Sequence, residues 1–278
     1  MAKSSDFVPQ SAQRVTRRLK GRALRFFVRF NLTENHFLVA MAIVVGIGGG
    51  FGSILFQRLL DLTTFWLSEL GQILPSYALP LIPAIGGLAA GLLVFFFAQE
   101  AKEAGVSEVM NAIVTRQGVI RGRVGVVKAL ASALTLGSGG SAGSEGPIIQ
   151  IGAAWGSGLG QIFKFSENNL KLLIACGSAA GISAIFNAPI AGVLFALEVI
   201  LGDFTIAVFT PVVVSSVLSA VVAQAYRGDR PVFEVPDYHF VKEFELGWFN
   251  LLAVLAVIVG VLFILKMYGV EDFFEKID

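Results

Sequence analysis

Six stretches of this chain, 37–57, 71–99, 129–144, 172–197, 204–226 and 246–265, contain no Asp, Glu, Lys or Arg. Most reach the roughly 20 residues a helix needs to cross a bilayer. Lipid offers no hydrogen-bond partner to a backbone, so such stretches are stable only when their amides bond within helices. Composition points the same way: 55% of residues are apolar, 15% are charged and mean hydropathy is +0.75, which excludes an ordinary soluble domain. The predicted fold class is an all-α polytopic membrane protein, a bundle of tilted, broken and re-entrant helices, about ten in all.

The segments between these runs set orientation. Residues 1–35 read as a basic N-terminal helix: over the first thirty, Lys3, Arg14, Arg17, Arg18, Lys20, Arg22, Arg25 and Arg29 face only Asp6, with Leu19, Leu24, Phe26, Phe27 and Phe30 interleaved. That pattern fits a helix lying on an anionic membrane surface, not a cleavable signal peptide, and it places the N-terminus in the cytoplasm. The loop from Arg116 to Lys128 holds four basic residues and no acid, so it too is expected inside. Residues 227–246 carry Arg227, Arg230 and Lys242 against Asp229, Glu234, Asp237, Glu243 and Glu245, which fits an external loop. Residues 36–226 would form the principal bundle and 247–278 one further helix.

Within the bundle, several segments are too short to span. Residues 106–114 read as a half-helix or re-entrant element. Ser166 is placed as the N-cap of a helix near 170–185, and Phe186-Asn187-Ala188-Pro189 breaks the chain before another short helix. Interrupted apolar segments of this kind are what transporters use to aim half-helix ends at a midplane ion site. Glycines four apart, Gly87 with Gly91, Gly152 with Gly156 and Gly160, and Gly177 with Gly181, predict close backbone packing between helices.

The chemistry concentrates in Gly137-Ser138-Gly139-Gly140-Ser141-Ala142-Gly143-Ser144-Glu145-Gly146-Pro147. Pro147 favours a helix start, and a helix N-terminus presents unpaired amides and roughly half a positive charge, an anion site. Glu145 is a tethered anion competing for the same donors, hence a candidate gate. The run also matches Gly-x-Gly-x-x-Ala, but it lies between apolar helices instead of after a strand, so an enzyme built on a dinucleotide is rejected. Cys176 reads as a buried packing residue, and His36 and His239 stand too far from other ligand types for a metal site. No cofactor and no nucleic-acid partner are expected.

The central motif resembles the anion-site signature of the CLC family of chloride channels and chloride/proton antiporters. Phe186-Asn187-Ala188-Pro189-Ile190-Ala191-Gly192-Val193-Leu194-Phe195-Ala196-Leu197-Glu198 resembles that family's next block. The likeness implies a CLC-like bundle in which residues 36–226 form the first of two inverted repeats and 247–278 open the second. It implies transmembrane permeation of chloride or a similar halide, with chloride as substrate and Glu145 as gate. It implies an anion site at Ala104, Gly105, Val106, Ser107, Ser144, Gly146, Ile148 and Ile149, Pro147 having no N–H. Three of these positions depart from the family pattern: Ala104 stands for an anion-touching serine, Ser107 for a proline and Ser144 for a basic residue. Position 199, where antiporters often carry an inner glutamate, is Val199, so the reading leans to channel-like or weakly proton-coupled transport. Glu198 is left as a minor proton carrier or a structural acid. The alternatives are a chloride/proton or fluoride/proton antiporter and, in another class, a non-transporting structural membrane subunit. The family's Gly-x-Phe-x-Pro motif and pore tyrosine do not occur, so a C-terminal half is expected to complete the pore. The likeness further implies a homodimer meeting through 189–201 and 205–222, embedded in lipid of a plasma or bacterial inner membrane.

Overall fold

The computed structural model describes residues 34–102, 104–228 and 244–275. The basic N-terminal segment and most of the 227–246 loop lie outside the described residues. The chain divides into two units, Met1–Val232 and Phe233–Asp278.

Nine α-helices and no strands occur among the described residues. In the first unit α1 is Glu34–Ile73, α2 Leu81–Phe97, α3 Gly105–Thr115, α4 Gly122–Gly137, α5 Glu145–Phe163, α6 Glu167–Phe186, α7 Pro189–Phe195 and α8 Ile206–Arg227. The second unit holds α9, Glu245–Glu275. Among the described residues, five helical stretches are long and apolar enough to cross a membrane: His36–Ile73, Ser76–Phe97, Glu167–Phe186, Ile206–Arg227 and Glu245–Phe274.

Three boundaries differ from expectation. The first span outruns its charge-free stretch, 37–57, and continues to Ile73 because nothing breaks the helix before Pro75, the residue at the N-cap of the next turn. The run 129–144 is not one span. Helix α4 ends at Gly137 and 138–144 are irregular, since the glycines at 139, 140 and 143 contribute little to a helix and Gly139 adopts φ +89°. The short helix at 189–201 changes winding, becoming a π-helix over Ala196–Leu201 that Gly202 closes at φ +64°.

α6 is the core. Fifteen of its residues are buried, so its apolar sides all face protein, and α5, α1 and α8 pack around it. The α5–α6 seam is backbone against backbone: a Cβ on Gly152 would overlap the Gly177 carbonyl, and one on Gly177 the Gly152 carbonyl. Gly87 and Gly91 instead meet nothing within 4 Å, so that predicted pair packs no neighbour among the described residues. On the other side of α6, Ser215 and Ser219 of α8 donate to the carbonyls of Cys176 (2.9 Å) and Ala180 (2.6 Å). These hydrogen bonds hold two apolar helices together where lipid supplies no hydrophobic force between them. Ser166 does sit at the N-cap of α6, but its side chain makes no capping bond.

Candidate functional site

Two helices begin at one point. α3 starts at Gly105 and α5 at Glu145, and a Cβ on Gly105 would overlap the carbonyl of Gly146; a Cβ on Gly146 would stand 3.3 Å from the Gly105 nitrogen. At Gly105 no side chain larger than hydrogen fits. Neither N-cap residue, Ala104 or Ser144, makes a side-chain capping bond. Two N-terminal turns, each with amides lacking intrahelical partners and each the positive end of a helix dipole, therefore converge without a side-chain oxygen to satisfy them.

Glu145 is the first residue of α5 and is exposed. Its carboxylate folds back over Gly143, where a Cβ would overlap Oε2. Among the described residues it takes part in no ion pair. Ala104 and Ser107 are exposed, while Val106, Ser144 and Gly146 are half-buried at the same junction. Ile148 and Ile149 point into the core, at 1% and 2% exposure. The Ile148 N–H donates to the Ser144 carbonyl at 3.1 Å, so the helix already uses a hydrogen expected to face an anion. Glu145 and Gly146 carry the N–H groups of the first turn that precede that bond.

Glu198 and Val199 lie in the π-helical turn after α7, where Glu198 is exposed and Val199 half-buried. α7 packs chiefly on α6 and α8, so this acid belongs to a different face of α6 from the α3–α5 junction.

The structure also gathers residues that the sequence left scattered. Glu108, 3% exposed, pairs with Arg116, and Lys128 donates to the Ala101 carbonyl at 3.0 Å. The Lys128 bond ties α4 to the turn before α3, and the Glu108–Arg116 pair closes α3 on its own C-cap. Ser157 accepts from the Ile120 N–H at 2.9 Å and donates to the Gly118 carbonyl at 2.7 Å, and Gln161 donates to the Ile120 carbonyl at 2.8 Å. The available signal was a polar stripe on α5, Gln150, Ser157 and Gln161, spaced to lie on one face. A separate groove of about 660 Å³ lies among α1, α4 and α5, lined by Gly48, Leu55, Gly125, Trp155 and others, and almost wholly apolar, which suits no halide.

The fold and site together define a polytopic helical membrane protein in which broken helices aim their N-termini at a common point beside one carboxylate. The family model for voltage gated chloride channels matches residues 86–277. A ClcB-like protein of Ralstonia nicotianae is 34% identical over 220 residues, covering 75% of this chain and 51% of that protein. The H(+)/Cl(-) exchange transporter ClcA of Vibrio cholerae is 34% identical over 245 residues, covering 85% of this chain and 52% of that protein. Among solved structures, a slow cyanobacterial Cl−/H+ antiporter superposes with a TM-score of 0.69 at 28% identity, covering 82% of this chain and 55% of that one. A CLC-type fluoride/proton antiporter superposes with a TM-score of 0.63 at 25% identity, covering 76% of this chain and 53% of that one. The chain belongs to the CLC, or voltage gated chloride channel, family and is a multi-pass membrane protein. It spans about half the length of the curated relatives it matches.

Proposed function

We propose that this chain supplies one half of the anion pathway of a proton-coupled CLC exchanger, with chloride as the substrate and Glu145 as both gate and proton acceptor. The observation that carries this is the contact between Gly105 and Gly146, which brings two uncapped helix N-termini to one place with Glu145 at its edge. An anion there gains donors and dipole from two helices at once, and the carboxylate competes with it for them. Protonation removes that competition, so proton uptake and anion passage become alternatives at one spot. The names of the Vibrio relative and of both solved neighbours support exchange over the channel-like reading. One observation favours weaker coupling: Val199 cannot relay a proton. The rest of the pathway, and a second copy forming a homodimer, complete the transporter.

The test is chloride efflux and proton counterflux in proteoliposomes holding the complete transporter that contains this chain, with fluoride run in parallel. Glu145→Gln, neutral at every pH, is expected to abolish proton movement while anions still pass. Unchanged efflux and unchanged counterflux in that variant would remove Glu145 from the mechanism. Anion flux without proton movement in the unmutated protein would return the channel-like reading.

A further inference from the structure

Gln150 of α5 plays no part in the mechanism above. It is wholly buried, at 0% exposure, and neither Nε2 nor Oε1 has a hydrogen-bond partner. Exchanging the two ends of the amide changes nothing, because both are unpartnered. Gln150 lies one turn beyond Gly146, which meets Gly105 of α3, and two turns before Ser157, which bonds the segment between α3 and α4. Ala154, one turn further along α5, packs against Gly125 of α4. The amide therefore stands where α3, α4 and α5 meet, directly behind the paired N-termini. Its neighbours on the stripe, Ser157 and Gln161, have protein partners. Gln150 alone on that stripe has none, and a buried amide without partners is a cost that native folds rarely carry.

We propose that Gln150 holds a buried water molecule between α3 and α5. The two orphaned atoms define the ligand's chemistry: it must accept a hydrogen bond from Nε2 and donate one to Oε1. Water does both, whereas a halide only accepts and is repelled by Oε1. Buried waters characteristically occupy such positions, making about three hydrogen bonds to groups the protein leaves unsatisfied. The site needs no anion to cross the molecule, so it stands or falls independently of the transport proposal.

Gln150→Met keeps the volume and removes both polar atoms. Measured by thermal unfolding of the complete transporter in detergent, it is expected to lower the midpoint by about 3 °C, because a satisfied pair of hydrogen bonds is lost. An unchanged or raised midpoint would mean the amide had been unsatisfied, and would overturn the proposal. A high-resolution density map of the unmutated protein decides the matter even where the variant fails to fold. A peak within hydrogen-bonding distance of both amide atoms supports the water; apolar packing with no peak overturns it. The same crystals grown in bromide distinguish the ligand, since an anomalous peak at Gln150 would assign a halide and overturn the water. Unchanged efflux and counterflux in Glu145→Gln with the density peak retained would sink the transport reading alone.

Discussion

At the scale of single residues, Gly105 carries as much of the site as Glu145 does. Glu145 supplies a carboxylate, but the paired helix N-termini beside it exist only because two backbones touch. A methyl group on Gly105 would occupy the place of the Gly146 carbonyl, so α3 and α5 must part by roughly the width of that group. Charge-assisted hydrogen bonds of the kind an anion would make there are worth ~1.5–3 kcal/mol each, and they weaken steeply with misalignment. Gly105→Ala is therefore expected to reduce anion flux at least tenfold, with the chain still folded. Gly122→Ala, where an added methyl meets nothing within 4 Å, should leave flux unaltered. Efflux assays on both variants beside circular dichroism check this, and equal flux in the two would show that the Gly105 contact does not hold the site. The sequence exposed Glu145 plainly, because a lone acid before Gly-Pro in a charge-free neighbourhood is conspicuous. Gly105, forty residues upstream by numbering, joined the same site only through the family likeness, and the backbone contact itself was hidden because a glycine's lack of a side chain says nothing about which neighbour needs the space.

Elements obey the same rule over a longer contact. α5 and α6 lie together because Gly152 and Gly177 each leave room for the other's carbonyl, with Gly156 against the Leu173 carbonyl extending the seam. Gly152→Ala overpacks that seam and is expected to cost ~1–3 kcal/mol. Gly87→Ala and Gly91→Ala, on a helix face open to 4 Å, should be neutral or slightly stabilising, since alanine is the better helix former. Thermal unfolding of the three variants separates them; a Gly152 variant as stable as the other two would mean the seam can open without penalty. The four-residue glycine spacing is the same in both places, so the sequence predicted close packing for both, and only the position of the partner helix distinguishes them. The helical runs themselves were legible from charge and length alone. The partition of 129–144 into a helix end and an irregular loop was less so, because absence of charge registers lipid depth and is blind to glycine's preference for loops. The π-helical turn at Ala196–Leu201 left no mark at all, since an apolar stretch reads alike in either winding.

The first unit as a whole has two ends, and its contacts sort its loops between them. Phe37 rests against Phe163 and Phe165 with ring centroids 6.1 and 5.1 Å apart, so the start of α1 lies beside the α5–α6 turn. Ser157 and Gln161 join that end to 118–120, and Arg121 joins it to Glu100 at 2.7 Å. At the opposite end, Gln224 donates to Asn187 at 2.6 Å, Arg227 donates to the Ile185 carbonyl at 3.3 Å, and Arg58 lies 4.9 Å over the Tyr226 ring. Among the described residues, the first end carries Lys102, Arg116, Arg121, Arg123 and Lys164, and the second Arg58 and Arg227. Loops rich in Lys and Arg stay in the cytoplasm, which predicts that the first end faces inward. Cys176 is wholly buried in α6, so cysteines introduced elsewhere report without background. In intact cells, a membrane-impermeant maleimide is expected to leave Val119→Cys unmodified until the membrane is opened, and to modify Ala225→Cys at once, both positions being exposed. The reverse pattern would invert the molecule. Glu145 would then take its protons from the other compartment, and the direction of any exchange driven by a proton gradient would have to be assigned afresh.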